Sequence, residues 1–347
     1  MTQRAPEPGS LKKRIVTVFK FVFFLGLGIF IIWLSVRGLS PSEKTQIIHS
    51  FRTADYWWVF LAIVLGILSH ILRSLRWMLF FKPMGFRPSF KNTFYAVMVG
   101  YFANMAFPRL GEVTRCGLLT RYEKIPFNKA FGTVITERAI DMIIFFMLFI
   151  LMILTQLGTI SGYLDMNVYP KLVAKFGNIH YSRVLLLSGI ALIAIFTFIL
   201  WLFRRRFLSS GLYRKVKSII LGFWEGLKSL SQIREIWLFI FYSLAILVLY
   251  FLMLYLIFFC FTETMGLGIG AGLSALVLGS IGIMITPGGI GLYPAIIQET
   301  LLLYGIGKPT GLALGWISWT AQTAMILVVG GISLLLLSFN KQRDGKS

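Results

Sequence analysis

The chain has 347 residues, of which 57% are hydrophobic and 14% charged, with a formal net charge of +21. A soluble domain carries roughly a quarter charged residues, so this composition excludes water as the main solvent and selects a bilayer. The basic excess lies between apolar stretches, which excludes a basic nucleic-acid-binding domain and fits positive cytoplasmic loops facing anionic lipid headgroups.

Residues 1–14 form a basic tail ending in Lys12, Lys13 and Arg14, expected in the cytoplasm. The apolar run 15–36 follows. It is too long for a signal-peptide core and has no small-residue cleavage site before Arg37, so it reads as an uncleaved anchor. The mixed loop 37–56 is then outside, and span 57–81 returns the chain. Segment 82–130 is basic and belongs inside, with Lys82, Arg87, Lys91, Arg109, Arg115, Arg121, Lys124 and Lys129 against Glu112 and Glu123. Within it, 93–107 is apolar but short of the roughly 20 residues that cross hydrocarbon, and it stops at Pro108. Span 131–157 leads out and span 184–203 back to a loop, 204–235, that opens with three arginines. Span 236–262 leads out again. Two short apolar stretches, 271–286 and 289–304, flank a Pro-Gly-Gly break, and span 313–338 brings the tail 339–347 inside. The fold predicted is all-α: a polytopic helix bundle of about six full spans plus two re-entrant or broken segments. The flanking pattern of the short segments divides the domain 15–338 into halves 15–157 and 184–338 of opposite orientation, an inverted repeat with a transport site at its interface.

Four clusters carry the polar chemistry. The first is Asn104-x3-Pro108-Arg109-Leu110-Gly111-Glu112-x2-Arg115. Proline ends the short helix, glycine allows a turn, and guanidinium forks match phosphate oxygens. The second, Glu137-Arg138-x2-Asp141, sits inside a span, where each charge costs about 2.5–3.5 kcal/mol. The third is Arg73 and Arg76 before Trp77, placed to snorkel or to meet the acids of span 131–157. The fourth is Thr286-Pro287-Gly288-Gly289-Ile290-Gly291 with Gln298 and Glu299 beyond, where a broken helix presents backbone amides to an anion. No nucleophile motif, P-loop or metal-ligand spacing occurs, so no catalytic residue, cofactor or metal is expected.

In order and spacing, Arg73-Ser-Leu-Arg76-Trp77, Asn104-x3-Pro108-x2-Gly111-Glu112-x2-Arg115, Glu137-Arg138-x2-Asp141 and Pro287-Gly288-Gly289-Ile290-Gly291 resemble the lysylphosphatidylglycerol synthase transmembrane-region family, the flippase-like domain. The resemblance covers about 15–338 and implies movement of a lipid between leaflets of a bacterial or archaeal cytoplasmic membrane. The partner expected is a phospholipid or other anionic lipid, with a homo-oligomer or an envelope-lipid enzyme as further partners. It does not imply aminoacyl transfer, since the synthase domain of the best-known members has no counterpart in this sequence. Two departures put the headgroup in question. Tyr293-Pro294 stands where many relatives have Arg-Glu, and the last span offers Trp316, Trp319 and Gln322 in place of an arginine. An enzyme that modifies a lipid headgroup and a non-catalytic accessory subunit stand as the alternatives.

Overall fold

The computed structural model describes residues 40–163 except Pro108, residues 235–344, and the single residues Gly26, Phe30, Trp33 and Arg37. Predicted span 15–36 lies largely outside these residues, and span 184–203 and most of loop 204–235 lie wholly outside. Among the described residues the secondary structure is helical, with no strand.

Helix α1, Pro41–Thr53, begins with a capping box. Ser40 Oγ accepts from the Glu43 amide, and Glu43 accepts from the Ser40 amide at 2.7 Å. Among the described residues four helices are long and apolar enough to cross a membrane: α2 (Tyr56–Phe81), α5 (Phe127–Tyr163), α6 (Ile236–Ile257) and α9 (Lys308–Asp344). They contain the predicted spans 57–81, 131–157, most of 236–262, and 313–338. The family of apolar residues facing outward along them, such as Phe146, Leu154, Phe241 and Leu335, is what lipid-facing helices require.

Helices α2 and α6 form the most extensive packed pair and run antiparallel. The Asp55 amide donates to the Cys260 carbonyl at one end, and Lys82 pairs with Glu235 at 2.7 Å at the other. Both acids are N-cap residues, Asp55 of α2 and Glu235 of α6.

The short segments are helical hairpins. Helix α3 (Phe90–Ala106) has 17 residues and α4 (Leu110–Glu123) has 14. At 1.5 Å per residue they reach about 25 and 21 Å, less than the ~30 Å hydrocarbon core. The turn is closed by Asn104 Oδ1, which accepts from the Gly111 amide at 2.7 Å. Above it the helices nearly touch: a Cβ on Gly111 would sit 2.0 Å from the Gly100 carbonyl oxygen. The second hairpin joins α7 (Ile269–Ile285) to α8 (Leu292–Leu302). Its turn holds Gly288, Gly289 and Gly291 at φ of +61°, +75° and +73°, a region that side chains with a Cβ avoid. Trp319 on α9 pins this turn by donating to the Gly288 carbonyl at 2.7 Å. The two turns meet, since a Cβ on Gly288 would come within 3.0 Å of the Met105 methyl group.

Helix α4 is the element that the sequence reading left as basic loop. Its buried face, Gly111, Arg115, Cys116 and Leu119, has helical spacing but only two apolar side chains, so no apolar stripe announces it. The remaining packing follows one scheme. Each hairpin packs on the long helix that follows it, α4 on α5 and α8 on α9; each long helix also crosses to the other hairpin, α5 to α7 and α9 to α3. Two apolar clusters result. One gathers Trp77, Phe81, Leu119, Val134 and Phe239. The other gathers Leu254, Ile257, Ile297, Leu301 and Leu314.

Candidate functional site

The ionisable residues singled out in sequence converge where the end of α2, the start of α6, α4 and α5 meet. Glu137 is fully buried and is the hub. Its Oε1 accepts from Arg73 at 3.2 Å and from Arg76 at 3.0 Å. Its Oε2 lies 2.9 Å from an Arg115 nitrogen, close enough for an ion pair but not aligned as a hydrogen bond. Asp141, one helical turn along, accepts from Arg73 at 3.0 Å and from Arg76 at 2.7 Å. The pair spacing explains the bracket. Arg73 and Arg76 are three apart on one helix, Glu137 and Asp141 four apart on another, so each pair presents one face to the other.

Arg138 extends the network outward. It lies 3.5 Å from Glu112 and 3.7 Å from Asp141, and its side chain is 40% exposed. Val97, Gly100, Tyr101, Asn104, Gly111, Glu112, Arg115 and Arg138 line a narrow cleft of about 10 Å³ between α3, α4 and α5. Among the described residues four arginines therefore face three carboxylates, one positive charge in excess. The Nε atoms of all four arginines are buried without a hydrogen-bond partner in the protein. Such donors are costly unless water or a polar ligand meets them.

Aromatic side chains pack around the network. The Arg115 guanidinium stacks 4.6 Å from the Trp77 ring, and Trp77 Nε1 donates to Thr133 at 2.9 Å. Arg73 lies 6.0 Å from the Tyr101 ring and 5.8 Å from that of Tyr250. His70, buried, packs on Tyr101 at 4.7 Å. Ser243 accepts from Arg76 at 3.3 Å. Tyr101, Tyr250, Ser243 and His70 were not singled out in sequence. His70 and Tyr101 are buried next to motif residues, but Ser243 and Tyr250 come from the other half of the chain and carry no local signal.

Of the other sequence candidates, Asn104 and Gly111 border the network through the cleft, and the rest lie apart from it. Asn104 and Gly111 shape the first hairpin rather than contribute charge. Arg109 is exposed at its tip, with a left-handed φ of +66° as N-cap of α4. A side chain in that conformation costs roughly 1–2 kcal/mol, so Arg109→Gly is expected to stabilise the protein by about 1 kcal/mol in a thermal unfolding series. A loss of stability would mean that the arginine side chain itself braces the tip. Pro108 lies outside the described residues. Pro287, Gly288, Gly289 and Gly291 form the second turn, to which no ion pair brings a charged group among the described residues. Glu299 is exposed on α8 and accepts from Gln298 at 2.9 Å.

Comparison with known proteins places the chain beside a family of membrane proteins. The family described as lysylphosphatidylglycerol synthase TM region matches residues 18–330. A UPF0104 membrane protein of Methanocaldococcus jannaschii is 33% identical over 145 residues, 40% of each chain. Another, of Methanothermobacter thermautotrophicus, is 27% identical over 138 residues, 39% of this chain and 40% of that one. The aligned stretch thus spans two fifths of the length of these curated relatives. No solved structure matches the chain.

Proposed function

The chain belongs to the lysylphosphatidylglycerol synthase TM-region family and is a multi-pass membrane protein, and from that premise we propose that it passes a phosphate-bearing lipid headgroup between the leaflets of the cell membrane, with both termini cytoplasmic. One observation carries the reading: a fully buried glutamate bracketed by three arginines, with a fourth arginine and a second acid leading from it to a cleft between two helices too short to cross the bilayer. Ionised groups at membrane depth are costly, and they persist where they line a hydrated path. The single excess positive charge suits an anion with one negative charge, and the arginine forks suit phosphate.

The proposed architecture is an inverted repeat of about 180 residues, and several pairings support it. Helix α6 starts 180 residues after α2, α7 179 after α3, α8 182 after α4, and α9 181 after α5. Both return helices start from a residue of positive φ, Arg109 and Gly291, and each is followed by another, Lys124 as the cap of α4 and Gly305 three residues beyond Leu302. The thirteenth residue counted from the start of each is a tyrosine bound to the long helix of the opposite half. Tyr122 donates to the Leu337 carbonyl at 3.0 Å, and Tyr304 donates to the Gln156 side chain at 2.9 Å. With antiparallel α2 and α6 at its centre, such a repeat brings the two hairpins in from opposite faces as re-entrant segments.

The outer pair Glu112 and Arg138 provides the gentlest test, because both are partly exposed and their removal leaves the Glu137 hub intact. Glu112→Gln with Arg138→Gln is expected to slow transfer of a chain-labelled fluorescent phospholipid in proteoliposomes at least tenfold, with thermal stability within about 1 kcal/mol of the parent. Transfer at the parent rate would remove these residues from the path.

A further inference from the structure

A groove between α1 and α9 lies outside the charged network. Lys44, Ile47, Ile48 and Phe51 stand three and four residues apart on one face of α1. Leu312 and Trp316 stand four apart on α9, and Lys308, four before Leu312, shares their face. The two stripes line a groove of about 340 Å³ that opens to the surface. That volume is within the range of small-ligand sites. Apart from Lys44 its lining is apolar, with Leu312 buried and Ile48 56% exposed. Exposed Tyr56 and Trp57 begin α2 just beyond α1. Tyrosine and tryptophan gather at headgroup level, which sets α1 at the membrane surface.

The groove has a cationic end. Among the described residues, neither Lys44 nor Lys308 has an ion-pair or side-chain hydrogen-bond partner. The acids nearby are turned to backbone. Glu43 accepts from the Ser40 amide at 2.7 Å, and Asp55 accepts from the Trp57 amide at 3.0 Å. The Ser40 amide and hydroxyl hold the Glu43 carboxyl below its usual range, and the charge of Lys308 adds to this, so Lys308 lies near the start of α1.

We infer that the groove binds an anionic phospholipid, one acyl chain along Ile47, Ile48, Phe51, Leu312 and Trp316 and the headgroup at Lys44 and Lys308. Charge complementarity selects this occupant: an apolar channel at headgroup level with two unpaired ammonium groups at one end matches a chain below a negative headgroup. Lysine acts on phosphate as a point charge, without the fixed orientation that an arginine fork demands. From the start of α2 to Arg73 is about 25 Å along the helix, so this site is separate from the network and stands without the transport reading. The bound lipid also touches the second hairpin indirectly. Trp316 packs edge-on to Trp319 at 5.4 Å, and Trp319 holds the Gly288 carbonyl. A retained lipid therefore braces that turn.

The probe is phosphatidylglycerol with a photoactivatable diazirine in one acyl chain, added at one molecule per detergent-purified chain and mapped by mass spectrometry after irradiation. Label is expected to concentrate in residues 41–53 and 308–316, at least fivefold above a phosphatidylcholine probe with the same chain. Lys44→Gln with Lys308→Gln is expected to abolish that preference while the thermal midpoint without lipid stays at the parent value. Ile48→Trp, which fills the groove, is expected to reduce label from both probes. Unlabelled phosphatidylglycerol is expected to raise the parent midpoint by several degrees, and inorganic phosphate alone to leave it unchanged. Equal labelling by the two headgroups, or a preference that survives loss of both lysines, overturns the headgroup assignment. Label spread evenly over the lipid-facing sides of α5 and α6 overturns the site. So does a groove that takes no label and cross-links instead to a second copy or to another part of the chain. Failure of the leaflet-transfer assays leaves this result untouched.

Discussion

Replacing Glu137 by glutamine is expected to destabilise the folded protein by about 3–5 kcal/mol, the usual cost of removing one partner from a buried ion pair. Glu137 touches three arginines and has no exposed surface. Its loss leaves Arg73 and Arg76 sharing Asp141, and leaves Arg115 stacked on the Trp77 ring with no acid in an ion pair with it among the described residues. The cost is in the uncompensated charge, not in the lost contacts, so it is recoverable. Arg115→Gln combined with Glu137→Gln removes one charge of each sign and is expected to regain more than half of the loss. A denaturant series on detergent-purified protein, read as a double-mutant cycle, measures the coupling. Independent, additive losses would show that Arg115 and Glu137 do not act as a pair.

The second large effect is steric. A methyl group on Gly111 cannot be placed without parting α3 from α4, because the nearest obstacle is backbone, the Gly100 carbonyl at 2.0 Å, with Asn104 Cγ at 2.8 Å behind it. Gly111→Ala is expected to cost about 3 kcal/mol, at the upper end of overpacking penalties, and to break the Asn104 bond that closes the turn. Gly117 on the same helix is the control, with nothing within 4 Å of its Cβ position. Gly117→Ala is expected to stabilise by about 0.5–1 kcal/mol through helix propensity. Thermal unfolding of the two variants side by side separates crowding from propensity. Equal effects would mean that the hairpin is not packed as described.

Much of this architecture was legible in the amino-acid sequence because the bilayer imposes a length and a polarity on each crossing. The four described spans fall within a few residues of their expected bounds for that reason. The Pro-Gly-Gly break was legible because only glycine accepts the left-handed turn found at Gly288, Gly289 and Gly291. Arg73, Arg76, Glu137 and Asp141 announced themselves by their cost in an apolar run, but helical spacing left the two arginines free to snorkel or to meet the acids, and only the packing of α2 on α5 decides for the pairing. Helix α4 was hidden, since its buried face uses glycine and arginine where a helix usually shows leucine. The residues packed around the network were hidden as well. Ser243 and Tyr250 reach Arg76 and Arg73 only through the antiparallel packing of α2 on α6, across more than 160 residues of chain. Glu299 shows the converse. Its isolation in an apolar segment marked it in sequence, but α8 turns it outward.

The account stands on lipid passage through the charged cleft, and leaflet exchange by the purified protein measures that directly. Unilamellar liposomes holding a trace of chain-labelled fluorescent phosphatidylglycerol in both leaflets, with and without reconstituted protein, are exposed to a membrane-impermeant reducing agent. With protein, bleaching is expected to run past the outer-leaflet fraction towards completion, and in Glu112→Gln with Arg138→Gln to slow to nearly the protein-free course. Bleaching that stops at the outer-leaflet fraction in protein-bearing vesicles, for this lipid and for other phosphate-bearing lipids, would contradict the account.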